Sequence, residues 1–392
     1  MHAPSVEETH ELVRRKLVPA YSEFLRCRST PELEAHPLYQ SLEPDIESVL
    51  NTVETGDYRR GEAPSRPSYR MVAWNIERGS EFESQLEALR SHEYLSRADV
   101  LLLIEADAGM ARSGNRAVAR EFARELGLAY AFAPCYLSLV KGSGLEYHAD
   151  GENELGLHGN ALLSRYPIRH ARAIRLPNGR DKMFGREKRI GSQAALAAEV
   201  EFPNGALTAV SVHLDAQSSQ RRRAAQMRQI LDSLPPGGPA ILGGDWNTST
   251  YNSSRAFYAI CGFWLRVCMG VDSVVRNHYL HPERWFEREL FGLLEQRGFH
   301  YRDANRMGER TTWYDMDQDG TDLNLREWVP GWCFPFIYWA LRNHDNKCPF
   351  KLDWFAARNL ACHHPMVIHE VREHRETPLS DHDAIGVDIR IE

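Results

Sequence analysis

From residue 69 onward the chain alternates short apolar runs with polar stretches. Most runs are three to nine residues long, the length of strands rather than of helices. Met71–Trp74, Val100–Ile104, Leu128–Phe132, Ala161–Leu163, Ala240–Leu242 and Ala384–Ile391 read as strands. Residues 193–201 and 206–212 read as a hairpin across Pro203-Asn204-Gly205. Helical spacing marks Ser84–Ser96, Asn115–Leu126, Gln220–Leu234 and Glu283–Gly298. Ahead of residue 69 the pattern is different. Leu12, Leu17, Tyr21 and Leu25 recur at helical spacing, a second short helix spans Pro44–Val53, and Gly56, Gly61, Pro64 and Pro67 form a linker. Residues 1–65 are therefore a helical extension, too short for a core of its own and expected to pack on a main domain of residues 66–392. Residues 251–345 interrupt that domain as an elaborated insertion.

The polar residues at the strand ends carry the candidate chemistry. The first strand ends at Asn75, the second at Glu105, the hairpin's second strand at His213, and Ala240–Leu242 runs through Gly243-Gly244 to Asp245 and Asn247. Glycines allow a sharp turn and a close approach of ligand to backbone. Taken singly, each position has a bland reading, such as an Asx turn for Asp245 or a solvated carboxylate for Glu105. Several strands ending together in such residues is where an α/β protein gathers a ligand. Near the C-terminus, Asp353 lies inside the apolar stretch Leu352–Phe355, and Ser380-Asp381-His382 precedes the last strand.

Composition narrows the class. The chain has 392 residues, 43% hydrophobic and 26% charged, as in ordinary globular proteins. Seven cysteines without regular spacing argue against a disulfide framework and for a reducing compartment. No apolar run is long enough to span a membrane, and residues 1–28 lack a secretory core, so a cytoplasmic location is expected. The net charge is −7. Twelve acidic and seven basic residues in 1–65 account for −5 of it, which leaves the body nearly neutral. A polyanionic substrate would then need a local basic groove.

Two basic segments are candidates for that groove. One is the loop carrying Arg180, Lys182, Arg186, Lys188 and Arg189. The other is Arg221 to Arg223, for which a solvated helix face competes with phosphate contact. In the insertion, Asp315, Asp317 and Asp319 have calcium-loop spacing before Gly320, but Arg326 stands where the loop's last ligand should be Glu. A second, structural Ca²⁺ and an acidic surface turn are the two readings. The aromatic stretch Trp328–Leu341 fits a core cover, a substrate wall or a membrane-surface contact.

In order, the chain offers Trp74-Asn75-Ile76, Glu105, Gly159-Asn160-Ala161, His213-Leu214, Gly244-Asp245-Trp246-Asn247, Leu352-Asp353-Trp354 and Ser380-Asp381-His382. This series resembles the endonuclease/exonuclease/phosphatase superfamily over residues 69–250 and 350–392. The resemblance implies a four-layered α/β sandwich, two mainly antiparallel sheets packed together with helices outside. It implies hydrolysis of a phosphoester by in-line attack of water with Mg²⁺ or Mn²⁺. Glu105 and Asn75 would hold the metal, with Asp381 a further ligand. Asp245 would orient or deprotonate the water, or bind a second metal. Asn247 would donate to the scissile phosphate, and Asn160 would contact a phosphate or order its loop. His213, and His382 paired with Asp353, would stabilise charge on the phosphate oxygens; general base is the alternative role for His382.

The substrate stays open at this stage. A nuclease would use the basic segments on nucleic acid. A lipid-headgroup or small-molecule phosphoesterase would use Trp332, Phe334, Phe336 and Trp339 as an apolar wall. A non-catalytic binding protein on the same fold should have lost Glu105, Asp245 or His382, and none is replaced. Oligomeric state is not legible.

Overall fold

The computed structural model describes residues 5–248, 252, 256–317, 331–373 and 377–391. Its strands are β1 (Glu54–Asp57), β2 (Tyr69–Arg78), β3 (Val100–Ala108), β4 (Ala129–Ser138), β5 (Leu157–Ser164), β6 (Ile168–Arg175), β7 (Arg189–Gly191), β8 (Ala194–Phe202), β9 (Gly205–Ser211), β10 (Ala240–Asp245), β11 (Thr312–Asp315), β12 (Lys347–Phe350), β13 (Asp353–Arg358), β14 (Leu360–Ile368) and β15 (Ala384–Ile391). One sheet has the order β1-β4-β5-β3-β2-β15-β14, with β7 on β4; a second has the order β13-β10-β9-β8-β6; β11 and β12 form a separate ribbon.

Pairing is antiparallel except for one parallel pair in each sheet, β2–β3 and β9–β10. The two faces of each sheet explain the apolar runs. Along β3, Val100 and Leu102 join the core between the sheets, with Leu196, Ala209, Ile241 and Phe355 opposite. Leu101 and Leu103 point the other way, into a core shared with Leu86, Val118 and Phe122. Burial on both sides is why the run is continuous rather than alternating. On the outer face of the second sheet, Val210, Leu242 and Trp354 pack with Met227, Ile230, Leu290 and Leu294. Helix, sheet, sheet and helix thus form the four-layered α/β sandwich.

The region before residue 69 is less separate than its sequence suggests. Helix Pro37–Asn51 starts seven residues before the expected Pro44 and carries that proline inside. Pro37 sits in the first turn and His36 accepts the Leu38 amide. Burial of Ile46, Val49 and Leu50 offsets the hydrogen bond that Pro44 forfeits. Gly56, expected in a linker, belongs to β1 opposite Tyr130. The tyrosine ring occupies the space a Cβ would need there.

Glu54 anchors this edge. Its carboxylate accepts from Tyr130 Oη at 2.6 Å and Arg120 Nε at 2.8 Å, and lies 3.1 Å from His10 Nε2. Burial alone would raise its pKa, but His10, Arg120 and Tyr130 hold it down at about 2. The unfolded carboxyl titrates near ~4.3. The stabilisation is therefore complete above that pH and is lost as pH falls from about 4 to about 2. Glu54→Ala should cost about 2–3 kcal/mol near neutrality, because it leaves the buried Tyr130 hydroxyl and the half-buried Arg120 guanidinium without their acceptor. Urea denaturation at pH 7 and pH 3 checks this: the gap between wild type and variant should shrink at the lower pH.

Candidate active site

The two parallel pairs explain where the polar residues go. The C-terminal ends of β2 and β3 and those of β9 and β10 point to the same edge of the sandwich, so Asn75, Glu105, His213 and Asp245 meet there. The antiparallel partner β13 begins at that edge, with Asp353 opposite Asp245 in register. His382, two residues before β15, comes to the same edge.

The backbone is irregular at this edge. β2 and β3 continue past the residues expected to end them, through bulges that shift register between Asn75 and Arg78 and between Leu103 and Ala106. Glu77, Arg78, Glu105 and Asn247 have positive φ angles of 45°, 68°, 59° and 52°. Non-glycine residues rarely adopt this conformation, and a bulge re-aims the side chain it carries. Gly244, at φ 140°, allows the turn into Asp245; a Cβ there would strike the Val212 carbonyl.

Asp245 is the hub. Its Oδ2 lies 3.7 Å from both His213 Nε2 and His382 Nε2, and Asn75 Nδ2 donates to it at 3.4 Å. Its Oδ1 accepts the Asn247 amide at 2.9 Å. Burial pushes the Asp245 pKa up, His382 opposes that, and Asp353 reinforces it. His382 Nδ1 is 2.8 Å from Asp353 Oδ2. Burial would favour neutral His382, yet Asp353, Asp245 and Asp381 hold its pKa well above the ordinary value. This imidazole is a cation. His213 differs: burial lowers it to about 4 against the pull of Glu105. It is neutral at pH 7 and can offer one N–H rather than a full charge. Asn247 directs Nδ2 to the Leu214 carbonyl at 2.9 Å, which fixes its side chain across the β9 end.

Asp245, Asp353 and His382 bring ligand-type atoms within 4.8 Å of one another. Because His382 is an Asp-paired cation, this triad is a poor cation site. A second acidic group, less tightly drawn together than the triad, lies beside it. The Asp381 amide donates to Glu77 Oε2 at 2.9 Å, and Glu105 lies 3.8 Å from His213 and from Arg78. Burial, then repulsion by Asp381, push Glu77 up to about 8. A group of carboxylates short of positive charge, with the Asn75 amide beside it, fits a hard divalent cation. Arg78 supplies part of the charge, holding Glu105 well below the usual carboxylate range although burial opposes it.

Sequence reasoning missed several participants. Glu77 and Arg78 lie two and three residues past Asn75 on the same strand. Asp107, two residues past Glu105, is fully buried; it holds His158 Nδ1 at 2.8 Å and Arg112 at 2.8 and 3.0 Å. Arg112 also reaches Glu146 and Glu187, both at 3.1 Å. The spacing of two along β3 was the available signal. His158 and Asn160 lie inside β5, not ahead of it. Asn160 Nδ2 donates to the Ala194 carbonyl at 2.7 Å, which ties the two sheets together.

The basic segments divide. Arg180, Lys182, Arg186 and Arg189 line a cleft of about 680 Å³ that opens onto Glu105 and His213. Within it Lys182 pairs with Asp215 at 3.2 Å, and Arg189 pairs with Glu187. Arg223 is neither solvated nor phosphate-facing: it is fully buried, with Nε 2.9 Å from Glu287 Oε1. A helical pattern of three consecutive arginines must turn one inward, and Glu287 is what receives it. Asp315 and Asp317 lie apart from the site, engaged by Lys347 at 3.4 Å and Asn346 at 3.1 Å; Asp319 falls outside the described residues.

The sequence profile of the Endonuclease/Exonuclease/phosphatase family matches residues 72–382, which includes every residue of the cluster. An uncharacterized protein of Escherichia coli (strain K12), YbhP, is 28% identical over 173 residues, 43% of this chain and 61% of YbhP. The chain thus spans less than two thirds of that relative. Similar solved structures include an endonuclease/exonuclease/phosphatase from Beutenbergia cavernae DSM 12333, at TM-score 0.49 and 15% identity, covering 83% of this chain and 72% of that one. Another is the 3′-5′ exonuclease NExo from Neisseria meningitidis, at TM-score 0.45 and 15% identity, covering 81% and 98%. Proteins of this kind are typically phosphoesterases that use divalent metals. With most of its length matched by the profile, the chain belongs to the endonuclease/exonuclease/phosphatase family.

Proposed function

We propose that the protein is a Mg²⁺- or Mn²⁺-dependent phosphodiesterase that acts on a polyanionic, nucleic-acid-like substrate. The observation that carries this reading is the polar cleft beside the Asp245 cluster, lined by Arg78, Arg180, Lys182, Arg186 and Arg189 against Glu105, Asp181, Glu187 and Asp215. Lys182 is held by Asp215 and Arg189 by Glu187; Arg180 and Arg186 are the cations that would meet phosphates flanking the one under attack.

The residues take complementary roles. Glu105, with Asn75, Glu77 and Asp381, would hold the cation, which when bound neutralises charge on the scissile phosphate. Asp245 would hold the attacking water and receive its proton. His382, kept cationic by Asp353, and the N–H of neutral His213 donate to the phosphate oxygens as charge builds. Asn247 orients the phosphate. Asp245 as a ligand of a second cation is the other role open to it.

A lipid or small-molecule phosphoester is the second reading. It is favoured by the ribbon β11–β12, which leads from the site to an apolar pocket: Thr312 Oγ1 donates to the Asp381 carbonyl, while Tyr314 lines the pocket. The free thiols of all seven cysteines fit a reducing, cytoplasmic setting. Among the described residues no helix is long and apolar enough to cross a membrane.

The test is hydrolysis of single-stranded DNA, plasmid DNA, RNA, sphingomyelin, phosphoinositides and bis-p-nitrophenyl phosphate. EDTA should abolish turnover, and Mg²⁺ or Mn²⁺ should restore it. Glu105→Gln should need a much higher metal concentration for half-maximal activity. If the wild type cleaves none of these, or EDTA leaves the rate unchanged, the reading is wrong.

A further inference from the structure

Ten of the fifteen large apolar side chains left exposed among the described residues lie between Phe257 and Trp339. Seven of these ten sit on two helices, Ala256–Met269 and Phe334–Leu341, which touch through Trp264 and Phe336, their rings edge-on at 5.3 Å. Between them is an apolar pocket of about 240 Å³, with Tyr314, Met316, Cys348 and Phe350 also in its wall. That accounts for Phe263 and Val267 on the first helix. The rest of that helix is the anomaly. Phe257, Cys261, Leu265, Cys268 and Met269 follow helical spacing along one stripe, and all of them are exposed. A helix that is apolar all round is normally buried, and among the described residues nothing covers this stripe.

The chemistry of the surface indicates what covers it. Neither helix contains a carboxylate, and Arg266 is the one charge between them. At the rim, Arg342 lies over the Trp339 ring at 4.8 Å. Of the nearby acids, Asp315 pairs with Lys347 at 3.4 Å, and Asp272 lies 2.6 Å from His344 Nε2. An acid-free surface of Trp, Tyr, Phe and Leu edged by arginine matches the headgroup–acyl boundary of a bilayer. The helices have 14 and 8 residues, enough to lie in that boundary and too few to span it. The surface is also continuous with the site, since Thr312 bridges to His382 and Tyr314 lies on the pocket wall three residues before Asp317.

We propose that helices Ala256–Met269 and Phe334–Leu341 form an interfacial docking face for a phospholipid bilayer. Docking holds the catalytic cleft beside the membrane plane without insertion of a spanning helix. The assignment does not depend on which phosphoester is cleaved.

The test is flotation of the full-length protein with vesicles of phosphatidylcholine alone and of equimolar phosphatidylcholine and phosphatidylglycerol. Wild type should float with the vesicles, more strongly with the anionic ones. Phe257→Ser combined with Leu265→Ser should reduce the bound fraction roughly tenfold or more, because each removes a large apolar group from the bilayer. The thermal melt and the hydrolysis of soluble bis-p-nitrophenyl phosphate should be unchanged in that variant, which separates lost docking from lost folding. No flotation of wild type with either vesicle overturns the proposal, as does binding that survives the double substitution. Light scattering that shows a concentration-dependent dimer abolished by the same substitutions also overturns it, since the occupant is then a second copy.

Discussion

Alanine in place of His382 is expected to lower kcat by about 10³-fold, with a much smaller change in KM. The imidazole is buried and paired with Asp353 at 2.8 Å, and its Nε2 sits 3.7 Å from Asp245. In the proposed reaction its charge meets the phosphate most strongly in the transition state, so its removal should show in kcat. Asp245→Asn should be at least as severe, because it removes the proton acceptor while keeping the shape. Asp353→Asn should fall between the variant and wild type at neutral pH, and its activity should recover as pH is lowered. The reason is that Asp353 keeps His382 protonated; without it the cation persists only at lower pH. Steady-state kinetics on bis-p-nitrophenyl phosphate across pH would show this. Full activity in both His382→Ala and Asp245→Asn would remove these residues from the mechanism.

The largest expected loss of stability is at Arg223. Its guanidinium is fully buried against Glu287, which is 1% exposed. Arg223→Ala leaves that carboxylate without its cation and opens a gap between helices Gln220–Asp232 and Arg288–Gln296. A cost of about 3–5 kcal/mol is expected, read as the shift in urea midpoint multiplied by the slope. Replacing both partners, Arg223→Met with Glu287→Leu, should recover most of it, because a buried pair is costly to break yet replaceable by apolar packing. The activity of that double variant should stay near wild type, since neither residue reaches the cleft. If Arg223→Ala melts like wild type, the pair is not the tie between these helices.

These two predictions differ in how visible their residues were beforehand. Asp245, Asn247, Glu105, His213 and Asp353 could be picked out because each lies in or at the end of an apolar run, and His382 because it precedes the last strand in the order the resembling motifs share. Arg223 could not, because its partner lies 64 residues away and its neighbours Arg221 and Arg222 look the same in sequence. The limits of β2 and β3 were misread for a related reason. Bulges at Asn75–Arg78 and Leu103–Ala106 keep the strands going past residues that would otherwise end them. A bulge is settled by the partner strand, which local pattern does not contain.

The sequence by itself determined the strands buried on both faces and the Pro203-Asn204-Gly205 hairpin, which follow from side-chain periodicity and turn chemistry acting over a few residues. The layered class and the ordered set of candidate site residues were legible only through the family resemblance of the motifs taken together. Only the tertiary structure decided that His213 is neutral, that Glu77 and Arg78 join the cluster, and that helix Ala256–Met269 leaves an apolar stripe that no other described residue covers. Charge state depends on burial and on carboxylates brought from distant strands. Exposure depends on what packs against a face. Both are set by groups that meet only when the chain has folded.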